Sequence, residues 1–187
     1  LQFEELFKIA EQTDKSFFGA VKAQEIKQLK CAEAKIKVLP IGVWPNNSFK
    51  VRHYEKGLFK ILIVGAFKEK KGIDTALKAC KEYIKNGNDN IQIHLVGTLI
   101  NQTAYDEQFA KNIYELIDDK LLIDSLILHG FLSLEKLHEL ALNCHVGLLP
   151  SQFAKDRDCE GGYPITLLNL MQTGLPIIST EHCDIPF

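Results

Sequence analysis

The 187-residue sequence lacks several features that would assign it to a specialised class of protein. Its 22 Lys and Arg balance 24 Asp and Glu for a formal net charge of -2, and no basic block stands out, which argues against nucleic-acid binding. The longest uncharged apolar run, residues 61–67, is too short to span a membrane. The N-terminal residues carry early acids instead of a signal-peptide pattern. A globular, soluble protein of the cytoplasm is therefore expected.

The cysteines are also few, and their spacing does not suggest pairs. The sequence contains five cysteines, an odd number, and no C-x-x-C spacing. This pattern argues against both a disulfide framework and a zinc site, and it fits a reducing compartment. The sequence also lacks an initiating Met and ends at "CDIPF", so we expect a fragment of a longer protein.

From Phe59 onward, strand-like and helix-like patterns alternate. Strands are predicted in five short apolar runs: "FKILIVGAF", "IQIHLVG", "SLILHG", "HVGLLPS" and "PIISTE". Helices are predicted at Asp74–Lys85, Tyr105–Leu122, Ser133–Cys144 and from Pro164 to about Thr173, with Ser133 as an N-cap and Gly174 as a stop. Apolar strands linked by helices predict an α/β fold, in which a Rossmann-like parallel sheet carries helices on both faces.

The region before Phe59 reads differently. Residues 1–44 contain two helix-like and two strand-like patterns, which predict part of a second α/β domain. Residues 45–58 are polar and rich in turn formers, and they are interpreted as an interdomain linker. The main domain is placed at residues 59–187.

Two loops at the predicted carboxyl edge of this sheet could bind a ligand. In "VGAFKEKKGID", Gly65 and Gly72 bracket three lysines, although the loop matches neither the Walker A pattern nor G-x-G-x-x-G. In "CEGGYPITLLN", an acid and two glycines precede a proline-initiated helix, whose first N–H groups would attract an anion. A sugar joined to a phosphate would suit both loops, with phosphate near Lys71 and a sugar hydroxyl near Glu160.

Other charged clusters receive ordinary structural interpretations. His138, Glu139 and His145 lack the H-E-x-x-H spacing of a zinc helix. Asp156 and Asp158 form a D-x-D pair, a pattern that can hold a divalent ion, but their loop position favours solvated charges. No metal site is predicted.

Three of these motifs occur in the order and spacing of a known family. The segments "ILIVGAFKEKKGIDTALKA", "LILHGFLSLEKLHELALNCHVGLLPS" and "EGGYPITLLNLMQTGLPIIST" resemble the donor-binding half of the group 1 (family 4) retaining glycosyltransferases of GT-B fold. The resemblance runs from about Lys35 to the end of the chain. It implies that residues 1–44 are the tail of an acceptor-side domain and that residues 59–187 form a nucleotide-sugar domain without its C-terminal segment.

The resemblance also implies a reaction and a set of site residues. The reaction is hexose transfer from a nucleotide diphosphate sugar to a saccharide or lipid-linked acceptor with retained configuration, in glycan or cell-surface polysaccharide synthesis, without metal or cofactor. Peripheral contact with the inner face of a membrane would come from regions outside this chain. Lys71 and Glu160 correspond to catalytic positions. The implied donor-binding positions are Gly65, Phe131, Leu132, Gly161, Gly162, Tyr163, Ile165, Thr166 and Asn169.

Some positions depart from the family pattern and keep alternatives open. Ala66 stands where the family usually has an arginine for the diphosphate, and Asn169 replaces the second glutamate of a paired motif. The turn "PIGVW" lacks the family's common Asn and Asp. These departures favour a degenerate, non-catalytic GT-B-like module, and a nucleotide-sugar epimerase of the same fold is a third alternative. We expect this chain alone to be inactive, because its interdomain cleft is incomplete.

Overall fold

The computed structural model describes residues 42–43, 45, 49–52, 57–99, 103–160, 162–183 and 185–186. These residues contain a five-stranded parallel sheet, and its strands are β1 (Phe59–Val64), β2 (Ile91–Val96), β3 (Leu126–Gly130), β4 (Val146–Leu149) and β5 (Ile177–Ser179). The strand order is β3-β2-β1-β4-β5, and Ile61 in the central strand pairs with Ile93 on one side and Val146 on the other. The predicted Rossmann-like parallel sheet is confirmed. The second domain predicted at residues 1–44 lies outside the described residues apart from 42–43.

Four α-helices cover the two faces of this sheet: α1 (Ile73–Lys85), α2 (Ala104–Ile117), α3 (Leu134–Leu142) and α4 (Ile165–Met171). On one face α1 and α2 pack on the apolar residues of β1 and β2, with Leu77 and Ile113 fully buried. On the other face α3 and α4 enclose Leu62, Ala141 and Leu170. The central strand is therefore buried on both sides, which explains why its sequence shows no polar alternation.

The helices differ from the sequence predictions mainly at their ends. Helix α2 ends at Ile117 and not at Leu122, because residues 118–122 form turns in which Asp119 accepts the backbone N–H of Leu121 at 3.0 Å. Helix α3 ends two residues before the predicted Cys144. Pro164 is the N-cap of α4 in an extended conformation (ψ 116°), so the helix begins one residue later than predicted. Ser133 is confirmed as the N-cap of α3, where its hydroxyl accepts the N–H of Lys136.

Helical spacing in the sequence predicts an apolar stripe of Leu134, Leu137, Leu140 and Ala141 on α3, and this prediction was partly wrong. Leu137 and Ala141 are buried as expected, but Leu134 is exposed and His138 is buried in the same helix. Leu134 is the first residue of the helix. Helical spacing alone does not show where along its length a helix makes contact.

Two glycines allow the loops at the carboxyl edge to approach one another. Gly72 has a positive φ of 62°, and a Cβ at this position would lie 1.9 Å from the carbonyl oxygen of Pro150. Gly97 has φ 144°, and a Cβ there would lie 1.8 Å from the carbonyl oxygen of Gly65. The backbone segments that follow β1, β2 and β4 thus approach one another more closely than residues with a Cβ would permit.

Part of the predicted linker is anchored to the domain. The guanidinium of Arg52 donates to the backbone carbonyls of Ala141 at 2.6 Å, Thr173 at 2.8 Å and Cys144 at 2.9 Å. These carbonyls lie at the C-terminal ends of α3 and α4, where helices leave backbone acceptors unpaired. Arg52 therefore ties residues 49–52 to both helices that cover the second face of the sheet.

Candidate functional site

The lysine-rich loop after β1 occupies the carboxyl edge of the sheet. It contains a single 3-10 turn, Glu69–Lys71, between β1 and α1. The loop after β4 holds this turn in place, because Gln152 donates its backbone N–H to the carbonyl of Lys70 at 2.9 Å and its side-chain amide to the carbonyl of Glu69 at 2.8 Å. The two loops singled out in the sequence therefore lie side by side, as the parallel topology requires.

Lys71 and Glu160 form a direct ion pair at the centre of this edge. The Lys71 ammonium donates to both carboxylate oxygens of Glu160, at 2.8 and 2.7 Å. The Glu160 side chain is only 7% exposed, whereas that of Lys71 is 25% exposed. The sequence placed the two residues on neighbouring parts of one ligand, but it gave no signal that they would contact each other. A charge-assisted pair of this kind fixes both side chains.

Each of the other two lysines in the loop also faces a carboxylate. Lys70 donates to Asp158 at 2.9 Å and to the carbonyl of Cys159 at 3.2 Å, and Lys68 lies 3.4 Å from Asp106. Asp158 is therefore paired with a lysine, although its side chain remains 41% exposed, and Asp156 is exposed as well. Each of the three lysines is paired with a carboxylate, so an incoming anion must compete with the protein's own acidic side chains.

Two residues that the sequence analysis did not single out hold Glu160. Ser151 donates its hydroxyl to Oε1 of Glu160 at 2.9 Å, and the backbone N–H of Glu160 donates to Nε2 of His182 at 3.3 Å. Burial lowers the pKa of His182 below its ordinary value, with the nearby Lys71 charge adding to the effect and Glu160 opposing it. The imidazole is thus neutral near pH 7 and can accept a hydrogen bond. Both residues lie directly beyond strand ends, which is the signal that could have found them.

The predicted donor-binding residues on and before α4 follow Glu160 along the chain. Gly162 is buried, Ile165 is exposed, and Tyr163, Thr166 and Asn169 are partly buried. Asn169 accepts a hydrogen bond from the side chain of Gln172 at 3.4 Å. Gly161 lies outside the described residues. Helix α4 has seven residues, so it contributes a short row of N–H groups at the start of two turns.

The remaining predicted positions lie further along the same edge. A Cβ on Gly65 would lie 3.2 Å from Cβ of Lys71, so this glycine leaves room for the lysine stem. Phe131 and Leu132 follow β3, two strands away from β1, which corresponds to about 10 Å. The Phe131 side chain is 83% exposed, whereas Leu132 packs against the core under α3 and α4. The structure places them at this edge and not beside Lys71 and Glu160.

Within the described part of the chain, no group of three or more His, Cys, Asp or Glu side chains could hold a metal ion. Among the same residues, no helix has the length and apolar character needed to cross a membrane.

Sheet order and edge loops define a Rossmann-like domain with a charged candidate ligand site at its carboxyl edge. The family profile described as "Glycosyl transferases group 1" matches residues 45–186, and the chain belongs to this family. The group 1 part of the resemblance is therefore confirmed.

Individual relatives agree with this assignment. The amylovoran biosynthesis glycosyltransferase AmsK of Erwinia amylovora is 32% identical over 157 residues, which cover 83% of this chain and 36% of that protein. The chain thus spans little more than a third of the length of this relative.

Solved structures share the fold. The lipopolysaccharide outer core galactosyltransferase WaaB is 20% identical with a TM-score of 0.56, and the match covers 87% of this chain and 42% of WaaB. The C-terminal domain of the group 1 protein LpcC from Francisella tularensis is 18% identical with a TM-score of 0.55, and the match covers 70% of this chain and 62% of that domain. The GT-B-type Rossmann-like fold predicted from the sequence is confirmed.

Proposed function

We propose that the whole protein transfers a hexose from a nucleotide diphosphate sugar to a saccharide or lipid-linked acceptor, with retention of configuration, in polysaccharide synthesis. The chain described above supplies the donor site. Membership of the group 1 family supports transferase activity, and the relative from Erwinia acts, by its name, in amylovoran biosynthesis. We further propose that the protein is cytoplasmic and contacts the inner face of a membrane through regions beyond this chain.

The observation that carries the proposal is the ion pair between Lys71 and Glu160 at the sheet's carboxyl edge. A partly exposed ammonium suits a diphosphate, and an adjoining carboxylate suits a sugar hydroxyl, since an ionised acceptor makes the stronger hydrogen bond. A nucleotide sugar carries both groups next to each other. The same two residues would therefore separate from each other and take one part of the donor each.

In this arrangement Lys71 stabilises the negative charge that develops on the leaving diphosphate. Electrostatic stabilisation by one well-placed donor contributes about 3 kcal/mol to catalysis. Glu160 orients the sugar ring, and Gly65 leaves room for the stem of Lys71. In this proposal the nucleotide base extends along the edge towards the loop after β3, which contains Phe131 and Leu132. The proposal includes no metal and no cofactor.

Transfer is tested by incubating the intact protein with hexose conjugates of UDP, GDP and ADP and a panel of saccharide and polyprenyl-phosphate-linked acceptors. We expect one donor to release its nucleoside diphosphate, with product of unchanged anomeric configuration by NMR. Lys71→Ala should lower kcat/KM about 100-fold or more. The matched control is Lys85→Ala, which removes an exposed lysine that pairs with Glu82 on α1 and should leave the rate unchanged.

Ala66 and Asn169 favour a second candidate, a non-catalytic binding module of the same fold. Asn169 presents a neutral amide, so it offers a weaker hydrogen bond to a ribose hydroxyl than a glutamate would. Saturable donor binding without turnover on any acceptor in the panel would select this candidate. Interconversion of the free nucleotide sugar without an acceptor would select the epimerase.

A further inference from the structure

A ring of hydrogen bonds connects Glu160 to the loops beyond β4 and β5. The Ser151 hydroxyl donates to Oε1 of Glu160 at 2.9 Å, and the Glu160 backbone N–H donates to Nε2 of His182 at 3.3 Å. The Thr180 hydroxyl donates to the backbone carbonyl of Ser151, and the backbone N–H of His182 donates to the backbone carbonyl of Thr180 at 2.9 Å. Glu160 is thus held through both its side chain and its peptide group.

Two residues of this ring, Ser151 and His182, are buried although their side chains are polar. Ser151 is 5% exposed and His182 is 2% exposed. The ring of Phe153 packs edge-on against the imidazole with centroids 4.5 Å apart, which leaves the imidazole little freedom to turn. Burying polar groups costs free energy unless they are hydrogen-bonded, and here their partners include the two ends of one acidic residue.

The two carboxylate oxygens of Glu160 are not equivalent. Oε1 accepts from both Lys71 and Ser151, whereas Oε2 accepts from Lys71 at 2.7 Å. If a diphosphate takes the Lys71 ammonium, Oε1 keeps the Ser151 hydroxyl and Oε2 becomes available to another donor. The carboxylate would then remain in place with one oxygen directed at the ligand.

We propose that Ser151 and His182 are positioning residues that hold Glu160 so that Oε2 accepts a hydroxyl of the donor sugar. This inference rests on the proposed function, since it assigns Glu160 a sugar partner. A glutamate has several rotatable bonds, and immobilising it before the ligand arrives lowers the entropy cost of binding. Ser151 fixes the carboxylate, and His182 fixes the peptide from which the side chain projects.

The inference is tested by titrating the intact protein with UDP, GDP and ADP and with the hexose conjugate of each. The measured quantity is the ratio of affinities of a conjugate and its free nucleotide, because this ratio isolates the sugar. Ser151→Ala should reduce the ratio about tenfold, the loss expected for one hydrogen bond to a charged group, while free-nucleotide affinity changes little. Ser151→Thr keeps a hydroxyl and should restore the ratio.

The His182 variants form a second matched pair. His182→Phe keeps a ring against Phe153 but removes the acceptor, so the ratio should fall. His182→Gln keeps an acceptor near the position of Nε2, so this variant should retain most of the wild-type affinity ratio. Thermal unfolding of each variant identifies any that fail to fold, in which case the remaining pair decides.

The outcomes separate this inference from the proposed function. If conjugate and free nucleotide weaken equally in Ser151→Ala and His182→Phe, or if neither weakens, the positioning role is wrong although the donor site stands. If the wild-type protein binds no conjugate, or if Lys71→Ala binds as tightly as wild type, the proposed function fails and the inference fails with it.

Discussion

The ion pair between Lys71 and Glu160 leads to a prediction of unusual sign: Glu160→Gln should strengthen the binding of a free nucleoside diphosphate. In the structure both carboxylate oxygens of Glu160 accept hydrogen bonds from the Lys71 ammonium, at 2.8 and 2.7 Å. A nucleotide without a sugar must compete with this carboxylate and gains nothing from it. Glutamine keeps the size of the side chain and an oxygen that can accept from Ser151, but it removes the negative charge.

The magnitude follows from the geometry around the ammonium. A phosphate oxygen bound to the same nitrogen at about 2.8 Å, at a tetrahedral angle, would lie about 4.6 Å from the carboxylate oxygen. At an effective dielectric constant of about 20, two unit charges at this distance repel by about 3.6 kcal/mol. Solvent exposure of Lys71 and salt screening reduce this value. We expect a net gain of about 1 to 2 kcal/mol, or roughly 5- to 30-fold in affinity.

The assay is calorimetric titration of the intact protein with UDP, GDP and ADP at fixed ionic strength. Glu82→Gln is the control, since Glu82 pairs with Lys85 on the exposed side of α1, and it should leave nucleotide affinity unchanged. The gain in Glu160→Gln should shrink as salt is raised. An unchanged or weaker affinity for every nucleotide in Glu160→Gln would refute the competition between carboxylate and diphosphate.

Three further predictions concern stability. Gly72→Ala should lower the free energy of unfolding by more than about 2 kcal/mol, because φ is 62° and the new Cβ would lie 1.9 Å from the Pro150 carbonyl oxygen. Arg52→Ala should cost about 2 kcal/mol, because it removes the donor shared by carbonyls of α3 and α4, and Arg52→Lys should recover part of this. Urea unfolding should also show stability falling from pH 7 towards pH 4, because burial, His129 and Lys60 lower the pKa of His94 to about 4. Below about pH 6.5 the His94 imidazole binds a proton in the unfolded chain but not in the folded chain, which lowers the stability. His94→Gln should therefore reduce the dependence of the free energy of unfolding on pH.

Each of these expectations has an outcome that contradicts it. Gly87→Ala is the control for Gly72→Ala, since Gly87 also has a positive φ of 85° but no atom within 4 Å of the added Cβ, so equal losses would exclude the Pro150 clash. Wild-type stability in Arg52→Ala would show that water replaces the guanidinium. An identical pH slope in wild type and His94→Gln would assign the dependence to other groups.

The fold could be predicted because its signals are local. Apolar runs without polar alternation, such as Ile61–Val64, indicate strands buried on both faces, and the helical stripes between them indicate crossovers. The predicted helix ends were less accurate. Helix α2 ends at Ile117 because the following residues form turns, in which Asp119 accepts the backbone N–H of Leu121. The buried His138 could not be predicted, because burial at that position depends on how the helix sits on the sheet.

The sequence predicted which residues belong to the candidate site, but it did not predict the contacts between them. Lys71 and Glu160 lie 89 residues apart, and their contact depends on the conformation of two loops. Gly72 and Gly97 permit the close approach of these loops, and a sequence shows such glycines without showing what they approach. Ser151 and His182 carry no motif of their own, so their role is visible only when the ends of β4 and β5 are seen side by side.

The claim that Lys71 and Glu160 form a nucleotide-sugar donor site is tested most directly by one titration. The intact protein and its Lys71→Ala variant are titrated in parallel with hexose conjugates of UDP, GDP and ADP. The account predicts saturable binding of one conjugate by the wild type and a loss of about tenfold or more in the variant, since a charge-assisted contact to the diphosphate is removed. Absence of binding by the wild type, or equal binding by both proteins, would contradict it.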